Sequence, residues 1–200
     1  MIKICGLTDP EAVRAAVRAG AGAVGFVFAD SVRRVTPAHA AALAADVPPE
    51  VLRVAVMQHP SAGEWREVFN VFRPQVLQTD AGDFANLDVP VGVTPWPVLR
   101  EGTFDTDDKL PDVFVYEGVA SGRGQAVDWR QAEKLARRGR MILAGGLNEE
   151  NVADAIVTVR PWGVDVSSAV ESVPGRKDPA RIARFIEAAR GAANTEGYDR

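Results

Sequence analysis

The chain begins Met1-Ile2-Lys3-Ile4-Cys5-Gly6-Leu7. Ile2 and Ile4 alternate with Lys3 and Cys5, the period of a strand whose two faces meet different surroundings. In most folds the polar face of such a strand lies at a wet surface. An eightfold β/α barrel offers another arrangement: outward side chains pack under the helices, and inward ones project into the barrel. Ile2 and Ile4 then lie under helices, while Lys3 and Cys5 point inward together. Cys5 stands where the strand runs into its loop, the end at which such barrels keep their chemistry.

Outward from this strand, extended and helical patterns alternate. Thr8 or Asp9 serves as N-cap with Pro10 in the first turn, and Gly20 ends the helix. Ala23 to Phe28 form a second strand, followed by the loop Asp30 to Arg34 and a helix from Thr36-Pro37 to about Ala45. Val51 to Val56 form the third strand, and Trp65, Val68, Phe69 and Phe72 mark the buried side of the next helix. Gln75 to Gln78 is a brief fourth strand. Only a turn or two of helix fits between Thr79 and Leu87. Val89 to Val93 is the expected fifth strand, after which Thr94-Pro95-Trp96-Pro97 is expected to break regular structure. Val113 to Tyr116, Met141 to Ala144 and Gly163 to Val166 complete the set. Helices start at Asp128, at Asn148 or Glu149, and at Asp178-Pro179.

Such alternation demands a mostly parallel sheet with right-handed crossovers. The expected fold is α/β, a single-domain (β/α)8 TIM barrel over residues 1–193, with the fourth and fifth helical segments shortened and 194–200 a frayed polar tail. The 200 residues are few for such a barrel, typically about 250, and the saving falls in the middle quarter. An open doubly wound sheet is the alternative, but no Gly-x-Gly-x-x-Gly follows the first strand.

A net charge of −4, with no basic run, argues against nucleic acid as partner. No apolar stretch reaches membrane-spanning length and no signal-peptide pattern opens the chain, so a cytoplasmic protein is expected. A single cysteine excludes an intramolecular disulfide. His39 and His59, the only histidines, stand apart from other potential ligands in the sequence, and no metal site is expected.

Candidate chemistry gathers at the strand ends. Gly145-Gly146 and Ser167-Ser168 follow the seventh and eighth strands, where β/α barrels frequently bind phosphate through backbone N–H groups. Gly122-Arg123-Gly124 in the sixth loop suits the same anion. Free cysteine is often mere packing, but Lys3 shares the face of Cys5. A thiol pKa of about 8.5 lowered by about 1.5 units leaves near half the thiol ionised at neutral pH, fit for a general base or a nucleophile. Arg33 and Arg34 read either as a solvated pair or as a bidentate clamp on a carboxylate. Glu117 reads as a surface acid or, at its strand terminus, as a general acid.

Together, Lys3-Ile4-Cys5-Gly6-Leu7-Thr8, Gly25-Phe26-Val27-Phe28, Ser31-x-Arg33-x-Val35, Leu143-Ala144-Gly145-Gly146-Leu147, Gly163-Val164-Asp165-Val166-Ser167-Ser168 and Glu171-Ser172-x-Pro174-Gly175-x-Lys177-Asp178 resemble the phosphoribosylanthranilate isomerase family. That resemblance implies a cofactor-free Amadori rearrangement of tryptophan biosynthesis acting on a small phosphorylated substrate, in a monomer or homodimer. It implies Cys5 as general base, Arg33 on the anthranilate carboxylate and Asp165 near the substrate amine. Lys3 and Gln78 join them as substrate-binding residues, with Gly122, Gly124, Gly145, Gly146, Ser167 and Ser168 around the phosphate. Two departures stand out. Glu117 occupies the place of the family's usual acid, an aspartate, and Gln78-Thr79-Asp80-Ala81 stands where the family has Gln-Leu-His-Gly. A phosphate-ligand binding barrel without turnover, or a related sugar-phosphate isomerase or epimerase, are the alternative readings.

Overall fold

The computed structural model describes residues 1–103, 109–119 and 127–195. Eight parallel strands close on themselves in chain order. They are β1 (Ile2–Cys5), β2 (Ala23–Val27), β3 (Leu52–Val56), β4 (Val76–Asp80), β5 (Thr94–Arg100), β6 (Val113–Glu117), β7 (Arg140–Leu143) and β8 (Gly163–Val166). The opening strand makes the closure: Lys3 pairs with Ala23 on one side and with Asp165 on the other. Helices α1 (Pro10–Ala19), α2 (Pro37–Leu43), α3 (Ala62–Phe72), α4 (Trp129–Ala136), α5 (Val152–Val159) and α6 (Pro179–Thr195) surround the strands. Between β8 and α6 lie a short 3-10 turn (Ser168–Val170) and a hairpin of β9 (Glu171–Val173) and β10 (Arg176–Lys177). No helix among the described residues is long and apolar enough to cross a membrane.

Local signals place these elements. Asp9 accepts the Ala12 N–H at 2.9 Å, Pro10 fills the first helical position, and Gly20 takes the left-handed conformation that closes α1. Ser61 and Glu64 form a reciprocal capping box at α3. Outside the strands, Ile4, Phe26, Leu77, Phe114 and Leu143 pack with the helices in one buried cluster. Inside, Ala23, Val54, Val76, Trp96, Val113 and Ile142 form a second, and Trp96 meets Trp162 edge-on with ring centroids 6.4 Å apart. Ile4 and Lys3 thus take the outward and inward places that their alternation predicts.

The fourth helical segment is reduced to a 3-10 helix, Ala81–Asn86, and no helix stands between β5 and β6 among the described residues. The fifth strand is not Val89 to Val93. It is Thr94–Arg100, so the segment expected to break the pattern carries it. Thr94 donates its N–H to Gln75 on the β4 side, whereas Glu101 donates to Glu117 on the β6 side. N–H direction alternates along a strand, so the missing donors of Pro95 and Pro97 fall toward β6, where pairing starts only at Val98. The prolines therefore remove no ladder bond, and Trp96 becomes the large interior side chain. Helix α5 begins at Val152 rather than at Asn148 or Glu149, because Asn148 Oδ1 accepts the Glu150 and Asn151 N–H groups in a turn. The backbone of α6 continues to Thr195, and residues 196–200 lie outside the described ones.

Candidate active site

A cavity of about 220 Å³ opens at the C-terminal ends of the strands. Cys5, Arg33, Gln78, Arg100, Glu117, Gly145, Gly146, Asp165, Ser167 and Ser168 all line it. A larger groove of about 1090 Å³ lies at the opposite end, among Met1, Arg140, Trp162 and Arg190. That end of a β/α barrel serves stability, and the chemistry-bearing residues converge on the smaller cavity.

Lys3 does not line the cavity but stands beneath it, fully buried, with Nζ 2.8 Å from Asp165 Oδ2. Burial opposes its charge, yet the Asp165 carboxylate and the Cys5 sulfur outweigh that, and its pKa rises. Burial pushes the Asp165 carboxyl up against the pull of Lys3. The sequence expectation that Lys3 depresses the Cys5 thiol is not met. Burial dominates and raises the thiol pKa; Lys3 and Lys177 act in the lowering direction, and Asp165 reinforces burial. The cation is present as expected, but a carboxylate shares it. Gly25 on β2 makes room for this cluster, since a Cβ there would lie 3.1 Å from Cys5 Sγ and 3.2 Å from Lys3 Cε. Two buried acceptors at the cavity, Asp165 Oδ1 and Gln78 Oε1, have no hydrogen-bond partner among the described residues.

Arg33 is a clamp, but on the protein itself. Its Nε and Nη2 donate to Glu171 Oε1 and Oε2 at 2.7 and 2.9 Å. The fork expected to grip a substrate carboxylate is thus filled on one edge, and Nη1, without a partner among the described residues, remains for a ligand. Lys177 joins the group, donating to Glu171 Oε1 at 2.8 Å and to the Ser167 carbonyl at 3.0 Å. Burial opposes ionisation of Glu171, but these two cations prevail and lower its pKa. Ser167 is committed as well, donating to the Cys5 carbonyl at 3.1 Å and accepting from Lys177 at 3.2 Å. Glu171 and Lys177 sit in one of the motifs quoted above, but periodicity gives no sign that the β9–β10 hairpin folds back over the barrel mouth.

On the opposite wall, Arg100 and Glu117 are register partners on β5 and β6, and Nη1 donates to Glu117 Oε1 at 2.6 Å. Arg100 Nε donates to Asp80 Oδ1 at 2.7 Å. Arg100 escaped the sequence reading because the strand that carries it was misplaced. His59 is not isolated in space: its imidazole stands between Asp80 (3.5 Å) and Asp83 (3.0 Å). The hydrogen bond to Asp83 raises its pKa, the behaviour of a cationic bridge between two carboxylates.

Gly145 and Gly146 both have positive φ, at 91° and 68°, a conformation that other residues rarely adopt. Asn151 Nδ2 pins this loop by donating to the Gly146 carbonyl at 2.9 Å. Ser168, exposed, starts the 3-10 turn after β8. Gly122 and Gly124 lie outside the described residues.

Residues 2–188 match the family described as N-(5'phosphoribosyl)anthranilate (PRA) isomerase. The chain belongs to the PRA isomerase family. An N-(5'-phosphoribosyl)anthranilate isomerase of Streptococcus pneumoniae (strain Taiwan19F-14) is 39% identical over 188 residues, which are 93% of this chain and 94% of that protein. The crystal structure of TrpF from Jonesia denitrificans shares 37% identity at a TM-score of 0.77, covering 96% of this chain and 97% of that one. A phosphoribosyl anthranilate isomerase in complex with reduced 1-(o-carboxyphenylamino)-1-deoxyribulose 5-phosphate shares 29% at a TM-score of 0.75, over 95% and 98% of the two chains. Asp80 and Glu117, the two positions at which the sequence reading expects a departure from that family, hold the same arginine in the structure.

Proposed function

We propose that the protein converts N-(5'-phosphoribosyl)anthranilate to 1-(2-carboxyphenylamino)-1-deoxyribulose 5-phosphate without a cofactor, with Cys5 as general base and Glu117 as general acid. The observation that carries this reading is the meeting of Cys5 and Glu117 at one cavity, which also holds two unpartnered buried acceptors. A polar ligand with N–H and O–H donors suits Asp165 Oδ1 and Gln78 Oε1. Nη1 of Arg33 meets the aromatic carboxylate, and the glycine loop after β7 with Ser168 takes the phosphate.

Glu117 gives its proton to the ribose ring oxygen; the C1–O bond breaks and the amine nitrogen forms a Schiff base with C1. Cys5 thiolate then removes the C2 proton, the electrons shift toward nitrogen, and the resulting enolamine tautomerises to the ketone. Lys3 and Lys177 favour the thiolate against burial, so they act on the base without touching the substrate. No atom is gained or lost, and both groups regain their starting protonation through solvent.

The test is recombinant protein mixed with the substrate, followed by loss of substrate fluorescence. Enzyme-dependent decay that scales with protein concentration supports the reading, and none at any concentration overturns it. One observation favours a binding barrel without turnover: Glu117 accepts from the Arg100 guanidinium at 2.6 Å, a contact that opposes the role of proton donor. That reading requires affinity for the reduced product analogue together with no turnover.

A further inference from the structure

Arg100 stands between two carboxylates at the top of the barrel interior. Its Nε donates to Asp80 Oδ1 at 2.7 Å and its Nη1 to Glu117 Oε1 at 2.6 Å. The strand registers set this up, because Arg100 is opposite Glu117 and Asp80 is opposite Val98, two residues earlier on the same strand. Opposite charge and hydrogen bonding both favour an ionised carboxyl. A guanidinium turned wholly to Glu117 would therefore strip it of the proton that an acid must give.

We propose that Asp80 is a positioning residue for the isomerisation: it holds the Nε edge of Arg100, divides the guanidinium between two carboxylates, and so leaves Glu117 able to carry a proton. The proposal deepens the reading of Glu117 as general acid and rests on it. Asp80 acts in the same direction through its own charge, which disfavours a second anion nearby whatever else Glu117 meets. This also gives a physical sense to the joint departure at the two positions. A carboxylate in the place of a histidine supplies the counter-charge that a strand-end arginine requires.

The remaining charged groups around the array are few among the described residues. His59 faces Asp80 from the segment after β3, and Asp83, from the 3-10 helix, accepts both the backbone N–H and Nδ1 of His59, which directs Nε2 at Asp80. Arg33, Cys5 and the Lys3–Asp165 pair lie at other walls of the cavity or below it. A protonated His59 offsets the charge of Asp80, so the influence of Asp80 on Glu117 is greatest once the imidazole is neutral.

The experiment compares wild type, Asp80→Asn, Asp80→Glu and Arg100→Gln by two readouts. One is the pH titration of the Glu117 carboxyl by NMR on protein labelled with ¹³C-glutamate, its resonance assigned with Glu117→Gln. The other is the pH profile of kcat. In Asp80→Asn the Glu117 titration is expected to move about one pH unit lower, and kcat at pH 8 to fall about tenfold with KM little changed. Asp80→Glu restores most of both, and Arg100→Gln moves the titration upward, a second variant should Asp80→Asn not fold. A Glu117 titration unchanged in both Asp80→Asn and Arg100→Gln overturns the proposal. A titration that moves while kcat does not overturns the acid reading instead, so the two failures are distinct.

Discussion

Lys3 and Asp165 face each other as register partners on β1 and β8, and their side chains meet at 2.8 Å in the closed interior directly below the cavity. The pair closes the barrel seam and sets the charge around Cys5. Removing one partner leaves the other charge buried and uncompensated, which typically costs about 3–5 kcal/mol. Lys3→Met is accordingly expected to lose stability of that order in urea unfolding. A loss below about 1 kcal/mol would show that the pair is not held as described.

The thiol itself makes the second prediction. Burial raises the Cys5 pKa, so the free protein holds mostly thiol at neutral pH. The rate of Cys5 alkylation by iodoacetamide should climb through a midpoint above the ordinary thiol value of about 8.5. Cys5 is the only cysteine, so the measured rate belongs to it alone. In Lys3→Met, without the lowering influence of the cation, the midpoint moves higher still. A wild-type midpoint below 8.5 contradicts the account.

Glu171 is expected to contribute to acid stability. Its folded pKa is depressed by Arg33 and Lys177, so its contribution is complete above its unfolded value of about 4.3 and disappears as pH falls through the folded value. The unfolding free energy of wild type should therefore decline with pH below about 4.3. The Glu171→Gln protein should show a shallower decline. Parallel curves for the two proteins would remove Glu171 from that role.

Arg33 separates substrate classes. With Nε and Nη2 held by Glu171, a ligand carboxylate meets the Nη1 edge. Charge-assisted hydrogen bonds are worth about 1.5–3 kcal/mol, roughly ten- to a hundredfold in affinity. Arg33→Ala should weaken the reduced product analogue by about that factor while barely affecting the same compound lacking the aromatic carboxylate. Equal weakening of both would point to a different sugar phosphate as substrate.

Much of this was legible in the sequence because the barrel repeats one local rule. Alternation at Ile2 to Cys5 placed a thiol and a lysine inside, and strand-end glycines and serines marked the loops. The misreadings have physical causes. Pro95 and Pro97 look like strand breakers unless the direction of each N–H is known, and that direction depends on which neighbour the strand pairs with first. Misplacing that strand hid Arg100 and with it the partner of Glu117. Arg33 was legible as a carboxylate clamp, but its actual carboxylate, Glu171, arrives from 138 residues away on a hairpin. The expected thiol shift fails because burial, which alternation alone does not weigh, outruns the pull of Lys3, and Asp165 from the far end of the chain reinforces it.

In the proposed mechanism Glu117, despite its bond to Arg100, delivers the proton that opens the ring. The most direct test is steady-state kinetics of Glu117→Gln beside wild type at neutral pH. Loss of a general acid is expected to lower kcat by about 10²- to 10⁴-fold with KM within a few-fold, and Glu117→Asp should retain a measurable share. A Glu117→Gln protein with wild-type kcat would contradict the account.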